Sequence, residues 1–201
     1  MGYSQYNEEK FLFEYFPNKI DGFLVDIGAA DGINNSNSRT LIEIGWEGLL
    51  VEPGTNNFNK LKELYQNNSK IILEKVGCSN IDNTGSTFYV DKNDDYEQIS
   101  TFRYEQMIKC KNIYNCEFVL ENVDLIKTSK LFEKHGINKI DFISIDTESL
   151  DTEVVLGIDF NNCEINLICV ENGSNIMTNY LNTFGFKEIF RTSGNIFFSK
   201  K

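Results

Sequence analysis

Phe23-Leu24-Val25-Asp26-Ile27-Gly28-Ala29-Ala30-Asp31-Gly32 is the stretch on which the reading of this chain turns. An apolar run ending in Asp26 and Gly28 predicts a buried strand that opens into a tight turn, where Gly28 and Gly32 let the backbone approach a ligand closely. A second run, Trp46-Glu47-Gly48-Leu49-Leu50-Val51-Glu52, also ends in a carboxylate. Between them, Asn35-Ser36-Asn37-Ser38 supplies residue types suited to a helix N-cap. Two adjacent parallel strands that each deliver an acid at the C-terminal end form a ligand site where open α/β sheets place theirs.

Working outward, Phe11, Leu12, Tyr15 and Phe16 ahead of Pro17 predict a helix over residues 6–16, packed across the sheet or roofing the ligand. Strands are expected over 23–27, 49–52, 71–76, 140–145 and 167–170, with helices over 37–44, 58–66, 129–135, 151–156 and 176–184. Residues 187–189 and 195–199, around Ser193-Gly194, read as a terminal hairpin. Residues 85–90 and 118–123 read as two more strands. The polar segment between them, 91–113, reads as an insertion that serves as a lid or substrate element, since long insertions in compact domains are more often functional than empty. The alternation predicts an α/β fold, a parallel sheet with helices on both faces and an antiparallel finish.

With 201 residues, 41% of them hydrophobic, the chain fits a single domain over 1–201 whose first twenty residues carry the N-terminal helix. A net charge of -11 and a pI near 4.6 argue against a nucleic-acid surface, which needs clustered Lys and Arg. There is no charged-then-apolar leader and no apolar run approaching about 18 residues, so a cytoplasmic protein that does not span a membrane is the expectation. Five cysteines without C-x-x-C spacing and a single histidine, His135, read as reduced buried thiols rather than a structural zinc site.

The charge of the first turn separates two cofactor classes. A dinucleotide turn favours G-x-G-x-x-G, with amides and a helix dipole aimed at pyrophosphate. Here Ala30 occupies the position of the second glycine, and Asp26 and Asp31 would oppose phosphates. Such a loop suits S-adenosyl-L-methionine, which carries a sulfonium and an amino group and has no phosphate, and it argues against a nicotinamide dehydrogenase. Glu52 is placed to accept both ribose hydroxyls.

Together with Ser4-Gln5-Tyr6, Gly22 to Gly32, Ser36-Asn37, Leu41-Ile42-Glu43, Gly45-Trp46-Glu47-Gly48, Val51-Glu52-Pro53, Ile140-Asp141-Phe142-Ile143-Ser144-Ile145-Asp146-Thr147-Glu148 and Val170-Glu171-Asn172, the loop resembles the FkbM family of methyltransferases across nearly the whole chain. The resemblance implies a Rossmann-like, seven-stranded methyltransferase sheet that binds S-adenosylmethionine and O-methylates small or saccharide-like acceptors. It implies Asp26, Gly28 and Glu52 around methionine and ribose and Gly77-Cys78-Ser79 near adenine. The matching Ala29, Asp31, Gly32, Ser36, Asn37, Pro53 and Asp146 complete the expected cofactor set. The family pattern Asp-x-Glu-Gly-x-Glu departs here: Ser149 replaces the glycine and Asp151 the second glutamate. Ser149 is expected to fit if the backbone there does not need a positive φ.

Asp146 and Glu148 are the catalytic candidates, because they follow a strand next to the cofactor strand and a base near the acceptor hydroxyl accelerates transfer. The competing reading has Asp146 capping the next helix and Glu148 compensating its dipole. Glu171 and Asn172, after the following strand, are substrate candidates. So is Arg103, which either lies on a solvated helix or grips an anionic or sugar acceptor from a lid. Asp146, Glu171 and Asn172 also resemble the magnesium layout of catechol-type O-methyltransferases, although metal independence is the expectation. His135 is expected at a helix C-terminus and Trp46 in packing. The alternatives to a small-molecule or glycan acceptor are an RNA end, a protein, or a module that binds the cofactor without catalysis.

Overall fold

The computed structural model describes residues 2–92, 98–171 and 173–200. Along the chain run α1 (Glu8–Tyr15), β1 (Phe23–Ile27), α2 (Arg39–Glu43), β2 (Glu47–Val51), α3 (Thr55–Tyr65), β3 (Ile71–Glu74), β4 (Gly77–Ser79), β5 (Asn83–Asp91) and α4 (Tyr104–Tyr114). There follow β6 (Phe118–Lys127), α5 (Thr128–Lys134), β7 (Lys139–Ile145), α6 (Asp151–Leu156), β8 (Glu164–Glu171), α7 (Asn175–Thr183), β9 (Lys187–Arg191) and β10 (Asn195–Ser199). Seven strands form one sheet in the order β3-β2-β1-β7-β8-β10-β9, parallel from β3 through β8, with β10 inserted antiparallel between β8 and β9. This is the expected α/β sheet with its antiparallel C-terminal hairpin.

Burial on both faces explains why β1 and β7 read as near-continuous apolar runs. Leu24, Leu50, Phe142, Leu167 and Phe197 point to one face, where Leu12 and Phe16 from the N-terminal region, Trp46 and Leu61 cover them. Val25, Val51, Ile143 and Ile168 point to the other, against Leu131, Val154, Val155, Met177 and Leu181. Trp46 has no exposed surface, meets Phe16 edge-on at 5.1 Å, and donates Nε1–H to the Lys19 carbonyl at 2.9 Å. Its role is packing. His135 stands at the C-cap of α5, with Nε2 2.6 Å from Glu74 Oε1. All five cysteines are free and buried.

Two expectations are corrected, and the insertion gains definition. The strand expected over 71–76 divides: β3 stays in the large sheet, while Gly77 starts β4 in a second sheet of order β4-β6-β5. Gly77 permits this because a Cβ there would lie 2.5 Å from Leu125 and 2.6 Å from Phe102. The helix expected over 37–44 shrinks to α2, because Asn35 turns at φ 56 and the Ser38 hydroxyl is committed to Asp26 rather than to a cap. The insertion contains α4, and its leading edge is stitched to β5 by reciprocal bonds between Thr101 and Tyr89 of 2.8 and 2.9 Å; residues 93–97 lie outside the described residues. No helix among the described residues is long and apolar enough to cross a membrane.

Truncating Trp46 removes a fully buried side chain that neighbours cannot replace. Trp46→Ala is expected to lower the unfolding free energy by about 3–5 kcal/mol, read as a lower urea midpoint at unchanged slope; an unchanged midpoint would contradict the packing role.

Candidate functional site

The loops after β1, β2 and β7 meet the end of β8 over the C-terminal edge of the large sheet. Gly28, at φ +87, is the pivot: its N–H and that of Ala29 donate to the Val51 carbonyl at 2.9 and 3.0 Å, and Asp146 N–H donates to the Ile27 carbonyl at 3.0 Å. A Cβ on Gly28 would lie 1.7 Å from the Asp146 carbonyl oxygen, so no other residue fits without moving a loop. Ala30, itself at φ 47, donates its N–H to Glu52 Oε2 at 2.9 Å, and Glu52 Oε1 accepts from Gly54 N–H at 2.7 Å. The acid of the second strand thus holds the turn after the first.

These loops enclose a cleft of about 240 Å³. Of the expected cofactor set, Asp26, Gly28, Ala29, Ser36, Asn37, Glu52, Pro53, Gly77, Cys78 and Asp146 line it. Asp31, Gly32 and Ser79 do not. Asp31 is consumed by its own turn, accepting from Ile33 N–H and Asn34 N–H at 2.9 Å each and from Asn34 Nδ2 at 2.6 Å. Gly32 backs onto Leu61 of α3. Residues beyond the expected set also line the cleft, among them Gln5, Asn57, Gln98, Ser144 and Asn195. Gln5 lies in the quoted stretch Ser4-Gln5-Tyr6 and could have been suspected. Asn195 had no sequence signal, because its position depends on β10 inserting beside β8.

Asp26 is buried and accepts from Ser38 Oγ at 2.5 Å; burial pushes its carboxyl up to about 6 against the opposing effect of that bond. Toward β8 the acids crowd. One oxygen each from Asp146, Glu148 and Glu171 can be chosen within 4.8 Å of one another. Burial first, then the repulsion of Glu171 and Asp151, pushes Glu148 up to about 8, and burial with Glu171 holds Asp146 well above the carboxylate range. Asp151 rises to about 7, mainly by burial. The described residues lining the cleft include no Lys or Arg.

The capping reading of Asp146 and Glu148 is overturned. α6 begins only at Asp151, with Leu150 at the N-cap, and Asp151 Oδ1 accepts from Thr147 N–H and Oγ1–H at 3.0 and 3.1 Å. Between these lie Glu148 at φ 49 and Ser149 at φ 94, so position 149 does need the positive φ that a glycine would supply freely. The insertion clasps this strained turn: Thr101 Oγ1 donates to the Glu148 carbonyl at 2.7 Å, and Gln106 Nε2 lies 3.5 Å from Glu148 Oε2. Arg103 points elsewhere, pairing with Glu153, and is not part of the cleft lining. Asn172 lies outside the described residues, and with it the third member of the magnesium set considered with Asp146 and Glu171.

The family description "Methyltransferase FkbM domain" matches residues 26–189. The chain belongs to the FkbM methyltransferase family. Its fold is that of the class I methyltransferases, and family membership implies S-adenosylmethionine as the methyl source. Among solved structures, this FkbM domain is similar to methyltransferase FkbM from Methylobacillus flagellatus KT, with a TM-score of 0.52 and 12% identity over 89% of this chain and 44% of that one. A methyltransferase from Geobacter sulfurreducens superposes with a TM-score of 0.50 and 9% identity over 98% of this chain and 79% of that one. At such identities the likeness is one of fold, and the chain spans less than half the length of the Methylobacillus protein. No curated protein sequence matches the chain.

Raised carboxyls leave a signature in stability. A group with a raised folded pKa holds a proton that the unfolded chain has already released, so its contribution is full below its ordinary pKa and is lost as pH rises through the folded value. Asp26, Asp151 and Glu148 therefore cost the ligand-free protein stability as pH passes about 6, about 7 and about 8. Melting temperature is expected to fall between about pH 5 and about pH 8.5, and to fall less in Glu148→Gln. Parallel profiles for the two proteins would contradict the assignment.

Proposed function

We propose that this FkbM-family protein is an S-adenosylmethionine-dependent O-methyltransferase whose acceptor is a hydroxyl of a small molecule or saccharide. The supporting observation is the charge of the cleft: Asp26, Glu52, Asp146, Glu148 and Glu171 line it, with no Lys or Arg among the described lining residues. A phosphate-bearing cofactor or a nucleic-acid strand meets repulsion there, whereas a sulfonium with an amino group and ribose hydroxyls meets acceptors. The buried Asn37 Oδ1, which has no hydrogen-bond partner among the described residues, also fits a ligand that brings a donor.

In this reading Asp26, Gly28, Ala29, Ser36 and Asn37 hold the methionine end, Glu52 and Pro53 the ribose, and Gly77 and Cys78 the adenine side. When bound, the cofactor supplies an electrophilic methyl group. Holding acceptor and donor in line is worth about 7–11 kcal/mol of the barrier. Glu148 is the base: with its carboxyl near 8, it is partly ionised at neutral pH and basic enough to take a hydroxyl proton. Asp146, which burial and the neighbouring Glu171 hold well above the usual range, orients the reacting groups. Phe88, Ile99 and Phe102 supply an apolar wall to the same cleft.

Calorimetry with S-adenosylhomocysteine is expected to show binding that weakens at least about tenfold in Glu52→Gln and Asp26→Asn, each a loss of about 1.4 kcal/mol or more; no heat with the intact protein would reject the reading. With tritiated S-adenosylmethionine and a panel of glycosides and phenols, Glu148→Gln should lower kcat by about 100- to 10,000-fold while retaining S-adenosylhomocysteine affinity. The wild-type rate should rise as pH passes through about 8.

A further inference from the structure

Beyond the methyl donor's end of the cleft, the rim of the sheet offers hydrogen-bond acceptors from three adjacent strands. Asp146 follows β7, Glu171 ends β8, and Asn195 begins β10 directly opposite Glu171 in the antiparallel register. Residues opposite each other in such a pair project from the same face. Asn195 is 6% exposed and lines the cleft, and its Nδ2 donates to Glu8 Oε1 at 2.8 Å. A carboxylate only accepts, so Glu8 commits the amide nitrogen and turns Oδ1 away from itself. That oxygen is buried and has no hydrogen-bond partner among the described residues.

Glu8 is well equipped to fix this orientation. It has no exposed surface, its Oε1 also accepts from Thr192 Oγ1 at 3.0 Å, and its Oε2 accepts from Tyr6 N–H at 2.8 Å. The acceptor side of the cleft therefore presents three carboxylates and one fixed amide oxygen.

We propose that Asp146, Glu148, Glu171 and the Glu8-oriented Asn195 form a subsite for a primary ammonium group carried by the methyl acceptor, which is thus an amino-bearing hydroxylated molecule. An ammonium brings a positive charge and three donors with no acceptor, the complement of this set. The spacing permits it: two oxygens accepting from one ammonium at about 2.8 Å lie about 4.6 Å apart in tetrahedral geometry, inside the 4.8 Å that bounds the three carboxylate oxygens. The methionine end of the donor is expected beside Asp26 and Gly28 at the end of β1, whereas β10, which carries Asn195, stands three strands from β1, roughly 14 Å away at the usual spacing. Each carboxylate keeps a second oxygen, so Glu148 can face a neighbouring hydroxyl as well. This assignment rests on the O-methyltransferase reading and extends it to the acceptor.

The chain saturated with S-adenosylhomocysteine is titrated with ethanolamine and glucosamine, with ethylene glycol and glucose as their neutral counterparts and glucose 6-phosphate as an anion. Side-chain amide resonances and calorimetry give the readout. At least one amine is expected to bind saturably and shift the Asn195 side-chain amide, its neutral counterpart at least about tenfold more weakly, and the phosphate not at all. Glu171→Gln and Asn195→Ala should remove the preference for amine over neutral compound, and Glu8→Gln should reduce it, all with unchanged S-adenosylhomocysteine affinity. Amine binding by none of the set, or equal binding of neutral counterparts, overturns the proposal. A fall in S-adenosylhomocysteine affinity in Glu171→Gln overturns it by giving the subsite to the donor. Saturable Mn2+ binding without amine binding overturns it in favour of a metal. Failure of the intact protein to bind S-adenosylhomocysteine at all would instead reject the methyltransferase reading on which it rests.

Discussion

The missing side chain at position 28 is the constraint around which the functional half of the molecule is built. Because Gly28 has no Cβ, the loop after β1 and the loop after β7 share a space in which a single added carbon would overlap the Asp146 carbonyl. The same turn leans on β2 through the Val51 carbonyl and through Glu52, so three adjacent strand ends become one rigid rim. Binding sites gain from such rigidity, since groups already held in place lose little freedom when a ligand arrives. The acids of this rim are positioned by main-chain bonds and sheet register, which shift far less than flexible side chains.

What this rim holds is charge at unusual density. Asp26, Asp146, Glu148 and Asp151 are all pushed upward, chiefly by burial, in a chain that already carries a net charge of -11. An unfavourable arrangement of this kind persists where a ligand repays it, and strained backbone at Glu148 and Ser149 occurs in the same few residues. Ser149 stands in a left-handed conformation where a glycine would be at ease. The clasp from Thr101 to the Glu148 carbonyl supplies part of what holds that turn.

The sheet was legible because period and burial agree in it: the apolar runs ending in Asp26, Glu52, Asp146 and Glu171 each became a strand reaching the cleft or delivering an acid to it. Local pattern failed where a residue's role is set by distant partners. Asp31 looked like a ligand but serves its own turn, and of the two readings of Arg103 the anion grip gives way to the solvated helix because Glu153 takes the guanidinium. Gly77 read as the end of a strand, yet it is the point where the chain changes sheets, which only the packing of Leu125 and Phe102 reveals. Glu8 and Asn195 gave no signal at all, since their meeting depends on β10 entering the sheet beside β8.

The bond between Glu8 and Asn195 joins positions 187 residues apart. During synthesis the helix bearing Glu8 emerges well before its partners, so its buried carboxylate has no Thr192 or Asn195 to receive it until the long intervening chain has been made. Contacts of such long separation form late because closing the intervening loop costs entropy before it gains anything. The loops after β1 and β2 can assemble earlier, so the nascent chain passes through a stage in which one side of the cleft exists and the other is still being translated.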